Sequence, residues 1–142
     1  MTTRVRLSMP IAFLIENIRT SAVSNDKLIQ IIKNREFTFI ADQVDDPTMN
    51  FEERIQTAEE LSEPWEEAIR GGYSFKFLHL NGLKKLLALR FNKIDEVDYS
   101  QQDLKLVGIH LSSLEENQLH ELIQGSWTVT KSSNLITITP KY

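Results

Sequence analysis

Gly71-Gly-Tyr-Ser-Phe-Lys-Phe-Leu-His-Leu-Asn-Gly-Leu-Lys-Lys-Leu-Leu-Ala-Leu-Arg-Phe-Asn-Lys93 packs three phenylalanines and six leucines into 23 residues. That apolar density predicts a segment lying largely in the core. The stretch contains no Asp or Glu, yet it carries Lys76, Lys84, Lys85, Arg90 and Lys93. The segment before it is the reverse, with ten carboxylates against the single Arg54 between residues 42 and 67. An acidic helix and a basic helix that follow one another are expected to pack together, opposite surface charges settling the pairing modestly.

Within the opening stretch, Tyr73–Leu80 alternates aromatic with small or polar residues and predicts a short extended segment. Asn81 is placed to cap a helix over Gly82–Phe91, with Leu83, Leu86, Leu87 and Phe91 inward. Upstream, Asn50 and Glu53 have the spacing of a capping pair. Phe51, Ile55, Ala58, Leu61 and Trp65 then recur at helical spacing. Pro64 cannot donate to the carbonyl of Glu60, so this acidic helix is either kinked there or restarts with Ser62 as a new cap. Gly71-Gly72 forms the stop.

The N-terminal part reads as helices. Residues 8–23 form one, with Ser8 as cap, Pro10 in the first turn and a stripe of Ile11, Leu14, Ile15 and Ile18. Ser24-Asn25-Asp26 opens a second, running from Lys27 to about Asn34. Glu36–Val44 is open between strand and helix, because Phe37, Phe39 and Ala41 alternate like a strand yet fit a helical turn. Asp45-Asp46-Pro47 is a turn. Downstream, Asn92–Asp103 reads as a polar surface loop. Leu104–Leu111 is strand-like, and Ser112-Ser113 caps a helix over Leu114–Gln124, with Ser113 and Glu116 as a capping box and Gly125 as its end. Trp127–Thr130 and Leu135–Thr139 are β-rich runs joined by a turn at Lys131–Asn134.

Together these elements predict an α+β fold in one domain over residues 1–142. It has an N-terminal helical layer of four to five helices and a small C-terminal antiparallel sheet (strand–helix–strand–strand). A chain of 142 residues can bury a sizeable core without staples. The absence of cysteine excludes disulfides, thiolate metal sites and cysteine nucleophiles, and fits a reducing compartment. Arg4 and Arg6 before an apolar run have the outline of a leader, but Pro10 interrupts the run and Glu16 ends it. No run approaches the length of a membrane span. A cytoplasmic location and no membrane association are expected.

Glu59-Glu60-Leu-Ser-Glu63 places carboxylates at i, i+1 and i+4, so that Glu63 and an earlier glutamate can face one way on a helix. This Glu-Glu-x-x-Glu pattern resembles the first metal-binding motif of MazG-like nucleotide pyrophosphohydrolases. The resemblance covers five residues and implies a metal-dependent enzyme using Glu59, Glu60 and Glu63. The family's second Glu-x-x-Asp helix, needed to complete a magnesium cage, has no counterpart here. Pro64 and the β-rich tail also depart from that all-helical fold.

His79, His110 and His120 are scattered, with no metal-binding spacing, and His79 and His110 fall in strand-like runs that suit packed or edge histidines. No Gly-x-Ser-x-Gly, dinucleotide or phosphate-loop pattern occurs. No catalytic or metal residue and no cofactor are therefore expected. Lys84, Lys85 and Arg90 make a basic helix that could meet phosphates, and residues 24–44 loosely outline two short helices of the DNA-binding kind. The net charge of −4 argues against nucleic acid. The expectation that remains is a small cytosolic acidic protein of the regulatory, phage-related or immunity-protein kind. It would act by contact with a protein partner of unknown identity or as a homodimer, with Lys84, Lys85 and Arg90 as a candidate binding surface.

Overall fold

A computed structural model of the chain describes residues 5–141, so Met1–Arg4 of the leader-like run lie outside the described residues. The fold is α+β, with a helical N-terminal part and a small antiparallel sheet in the C-terminal part. The chain divides into two compact units, one ending at Tyr73 and the other starting at Ser74.

The first unit holds strand β1 (Val5–Leu7) and helices α1 (Met9–Arg19), α2 (Asn25–Lys33), α3 (Phe51–Glu60) and α4 (Trp65–Gly71). Helix α1 is its core. Every residue from Ile11 to Ile18 is buried, so the helix shows all its faces to protein rather than the one stripe its leucine and isoleucines mark out. Two polar residues go in with it and must be partnered there. Glu16 accepts a hydrogen bond from the Tyr73 hydroxyl. Asn17 grips the backbone of Asp46, its Oδ1 accepting from Asp46 N at 2.9 Å and its Nδ2 donating to Asp46 O at 2.8 Å. The helix stops at Arg19, not at residue 23. The hydroxyls of Thr20 and Ser21 donate to the carbonyls of Asn17 and Ile18, and Ala22 turns to a φ of 65°. Helix α2 follows the sequence reading, with Ser24 Oγ accepting from Lys27 N at 3.1 Å.

Between α2 and α3 the ambiguous run resolves into one 3₁₀ turn, Phe37–Phe39, followed by turns. A strand would have put both phenylalanines on one face. Here Phe37 is buried and stacks on Phe51 at 5.3 Å between ring centres, whereas Phe39 stays exposed under the Lys27 ammonium. Helix α3 starts as expected, Asn50 Oδ1 accepting from Glu53 N at 3.0 Å. The break at Pro64 is a complete one, but Ser62 does not cap the next helix. It sits at φ 54° and closes α3, with Ser62 N donating to Glu59 O and Glu63 N donating to Ala58 O. That pair of bonds is a Schellman motif, in which a left-handed residue satisfies the last carbonyls of a helix. Pro64 is then the N-cap of α4.

Strand β2 (Tyr73–Phe75) straddles the division. The second unit continues with α5 (Leu80–Phe91), β3 (Ser100–Gln102), β4 (Lys105–Ile109), α6 (Ser113–Ile123), β5 (Trp127–Ser132) and β6 (Leu135–Pro140). The four strands β3 to β6 form one antiparallel sheet in the order β3-β4-β6-β5. Part of the expected surface loop is therefore strand, since β3 pairs with β4 across the tight turn Asp103-Leu104. The β4–β6 register shifts between Leu106 and Ile109, where Gly108 takes a φ of 80° that a side chain would strain. Ser133 and Asn134, at φ 52° and 70°, form a two-residue turn between β5 and β6. Positive φ at both positions is the hairpin geometry that matches strand twist. Two caps lie one or two residues from their predicted place. The capping box of α6 is Ser112 with Glu115, not Ser113 with Glu116, and this leaves Leu114 outside while Leu119, Leu122 and Ile123 turn in. Helix α5 is capped by His79, not Asn81, with Nδ1 accepting from Gly82 N at 2.9 Å.

Candidate functional site

The second unit carries a groove of about 430 Å³ lined by Lys76, Phe77, Leu78, His79, Leu80, Leu104, Gly125, Ser126, Trp127 and Pro140. Its walls follow from local folding. Strand β2 ends at Phe75, so the alternation of the sequence breaks off and Phe77 leaves the buried row that Tyr73 and Phe75 occupy. The turn into α5 is then held twice, by the His79 cap and by Trp127 Nε1, which donates to Leu78 O at 2.8 Å. Gly125 lets the chain after α6 run close to this segment. A Cβ at that position would stand 3.3 Å from Phe75 O. The far wall is closed by Lys141 N donating to Ser126 O at 3.0 Å, which brings Pro140 in beside Trp127.

Two side chains in this groove are out of place for a folded interior. Phe77 is 59% exposed and Leu104 63% exposed. Leu104 occupies a hairpin tip, a position that ordinarily takes a small or polar turn residue. Phe77 meets the His79 ring edge-on at 6.1 Å and otherwise faces out. No Asp or Glu lines the groove and Lys76 does; in sequence Asp103 precedes Leu104, and Lys141, whose Nζ donates to Gln124 O at 2.6 Å, follows Pro140. Sequence reasoning missed both apolar residues by placing Phe77 and Leu104 in strand-like runs. The signal was there for Leu104, which directly follows the turn-forming Asp103.

A second groove, of about 440 Å³, lies in the first unit along α4 and is lined by Glu63, Pro64, Trp65, Glu66, Glu67 and Arg70. It includes one member of the glutamate trio. Glu63 is buried, and its Oε1 accepts from both Ser8 N at 3.0 Å and Ser8 Oγ at 3.1 Å. Glu59 points elsewhere, to Arg35 at 2.9 Å, and Glu60 is exposed. The left-handed turn at Ser62 separates Glu63 from the helical register that would have aligned the three. Among the described residues, no three His, Asp or Glu side chains gather where they could hold a metal ion.

The basic trio is also dispersed. At about 100° per residue, Lys84 and Lys85 diverge by one step and Arg90 lies roughly 140° beyond, so the three surround α5 rather than share a face. All three are half-buried, and Lys84 Nζ is engaged by Asp95 at 2.9 Å. Within the first unit, Glu66 meets Lys33 at 3.0 Å and Arg70 meets Asp26 at 3.1 Å. Part of each charge block is thus met inside its own unit, the acidic one by the exposed Glu66–Lys33 pair of small energetic weight and the basic one by the half-buried Lys84–Asp95 pair. His110 and His120 lie apart, His110 beside Asn134 O in the second unit and His120 in the last turn of α6.

Among the described residues, no helix is long and apolar enough to cross a membrane. Comparisons with protein-family models, with curated proteins and with solved structures found no match.

Proposed function

We propose that this chain is a small cytoplasmic protein that works by protein–protein contact, and that the groove of the second unit is its docking surface. The observation that carries this reading is the pair Phe77 and Leu104, 59% and 63% exposed on one apolar groove floored by Trp127. Exposed apolar side chains gathered around a concavity, with charge at the rim, are what an interface core looks like before its partner arrives. The lining has no carboxylate and its rim carries lysine, so the partner segment would present an apolar side chain with acidic neighbours. Groove and rim together suit a segment of a few residues and leave specificity to the flanking charges. The acidic total and the lack of cysteine fit the cytosol.

Selection from a random peptide library, with the Leu104→Asp protein as counter-selection, tests this. The expected result is enrichment of Leu, Ile or Phe beside Asp or Glu, with binding reported by a change in Trp127 emission in a Trp65→Phe background. Leu104 is exposed enough for the substitution to leave folding intact. If no sequence prefers the native protein to the variant, the groove is not a docking surface.

A further inference from the structure

We propose that two copies of this chain pair edge to edge through β5, antiparallel about a two-fold axis at Val129, so that their sheets join into one. This contact is independent of the groove. Strand β5 is six residues long and forms one edge of the four-stranded sheet. Its register with β6 is regular throughout, and Ser132 and Leu135 close the ladder beside the two-residue turn. Bonding therefore alternates along the hairpin. Ser132, Thr130 and Thr128 turn their N–H and C=O groups to β6, and Lys131, Val129 and Trp127 turn theirs away. Among the described residues these outward groups meet no partner. Sheet edges are ordinarily blunted by shortness, a proline, a bulge or charge. Strand β5 has none of the first three, and its one charge, Lys131, is drawn to Glu116 at 3.2 Å. The opposite edge is blunt. Strand β3 has three residues, of which only Gln101 turns its backbone outward, and it lies between Asp98 and Asp103.

A second copy is the occupant this edge fits. Only with Val129 on the axis does every outward residue of one copy meet an outward residue of the other, Val129 against Val129 and Lys131 against Trp127. No like charges then face each other, because Lys131 is the only charged residue of β5. On the exposed face Thr128 stands across from Thr130 of the second copy, and paired threonines favour strand association. The same face of β5 presents only threonine and serine, which select no particular side chain from a foreign strand. The contact is isologous and uses up both β5 edges, and the blunt β3 edges stop it at a dimer.

Sedimentation velocity and hydrogen exchange over a concentration series test this. The native chain is expected to reach a dimer and stop there, with the Val129 and Lys131 amides gaining protection as it forms. Val129→Pro removes an N–H that points away from β6, a place on a strand edge where proline is tolerated, and should weaken the dimer by about tenfold or more. Because Val129 is half-buried, two double variants work on exposed positions alone. Thr128→Lys with Thr130→Lys, and Thr128→Glu with Thr130→Glu, each set like charges against each other across the axis. Each, checked for a native melting temperature, should stay monomeric where the native chain dimerises, and an equimolar mixture of the two should form a 1:1 dimer. Leu104→Asp, which alters the groove, should dimerise like the native chain. A native chain that stays monomeric overturns the proposal and leaves the edge to a strand of another protein. A dimer in which the Val129 amide exchanges freely overturns it, as does a dimer that survives either double variant, or double variants that fail to pair on mixing. Loss of the dimer in Leu104→Asp would move the contact to the groove and overturn it as well.

Discussion

Glu63 Oε1 accepts both hydrogen bonds that Ser8 offers at the start of α1, from the amide at 3.0 Å and from the hydroxyl at 3.1 Å. Ser8 has the extended backbone of an N-cap but makes no cap bond within its own helix. A carboxylate 55 residues away sits at the helix N-terminus instead, where the macrodipole favours negative charge. The residue that would head a metal site thus has a place in the architecture of the first unit.

Glu63→Ala is accordingly expected to destabilise the chain by about 2–3 kcal/mol, the range for hydrogen bonds to a charged acceptor whose donors are left behind. Glu60→Ala should fall within about 0.5 kcal/mol of native, as surface changes do. Urea melts of the two variants separate them. A magnesium-dependent rise in the native melting point, abolished by Glu60→Ala, would speak for a carboxylate metal site instead.

Asn17 joins α1 to the turn before α3 through two bonds to the Asp46 backbone, at full burial. Asn17→Leu removes the amide, strands the Asp46 N–H and leaves the Asp46 C=O only its longer bond from Met49 N at 3.4 Å. A loss of about 1–3 kcal/mol is expected from one unsatisfied, half-buried donor. Hydrogen exchange should show the amide of Asp46 losing protection before the rest of the first unit. Unchanged protection there would mean that the turn holds without α1.

Tyr99 is buried, and its hydroxyl finds no hydrogen-bond partner among the described residues. Burial, then the charges of Asp95 and Asp98, push its pKa up to about 12. The folded chain therefore holds the phenolic proton more tightly than the unfolded chain, whose tyrosines titrate near ~10. This contribution to stability is full below about pH 10 and is lost as pH rises through about 12. Subtracting the stability profile of Tyr99→Phe from that of the native chain isolates it. The difference should decline over that window, and a flat difference would show that Tyr99 ionises freely. At neutral pH the variant should be as stable as native or slightly more so, because an unpaired buried hydroxyl is removed.

The β5–β6 turn places Ser133 and Asn134 at positive φ, where serine is poorly suited. Replacing the pair by Asn-Gly, the residues this turn prefers, should raise stability by about 0.5–1 kcal/mol in thermal melts. A loss would mean that the serine or asparagine side chain does something the backbone geometry does not reveal.

Leu83 and Leu87 are fully buried on α5, and an aspartate at either place would be an unpaired charge in an apolar interior. Both variants should fail to show a cooperative melt. Retention of the native melting temperature by either would remove α5 from the core of its unit.

Local chemistry was legible in the sequence wherever it is decided by near neighbours. The cap at Ser24, the Asn50–Glu53 pair, the break at Pro64, the inward leucines of α5 and the C-terminal hairpin all depend on residues within a turn or two of each other. They can be read because backbone hydrogen bonding and side-chain periodicity are local constraints. The class of fold follows from them. What only tertiary structure decided is which residues of a pattern are covered. Helix α1 is buried from Ile11 to Ile18, and no property of its own turns dictates that. Glu63 was separated from Glu59 and Glu60 by one left-handed residue, and a partner 55 positions away took it. Phe77 and Leu104 look like core residues in sequence and stand in the open, since burial is set by what else arrives at a surface and not by hydrophobicity alone. The opening stretch kept its place in the core, but its lysines and arginine spread around a helix, and the groove at its near end took over as the candidate site.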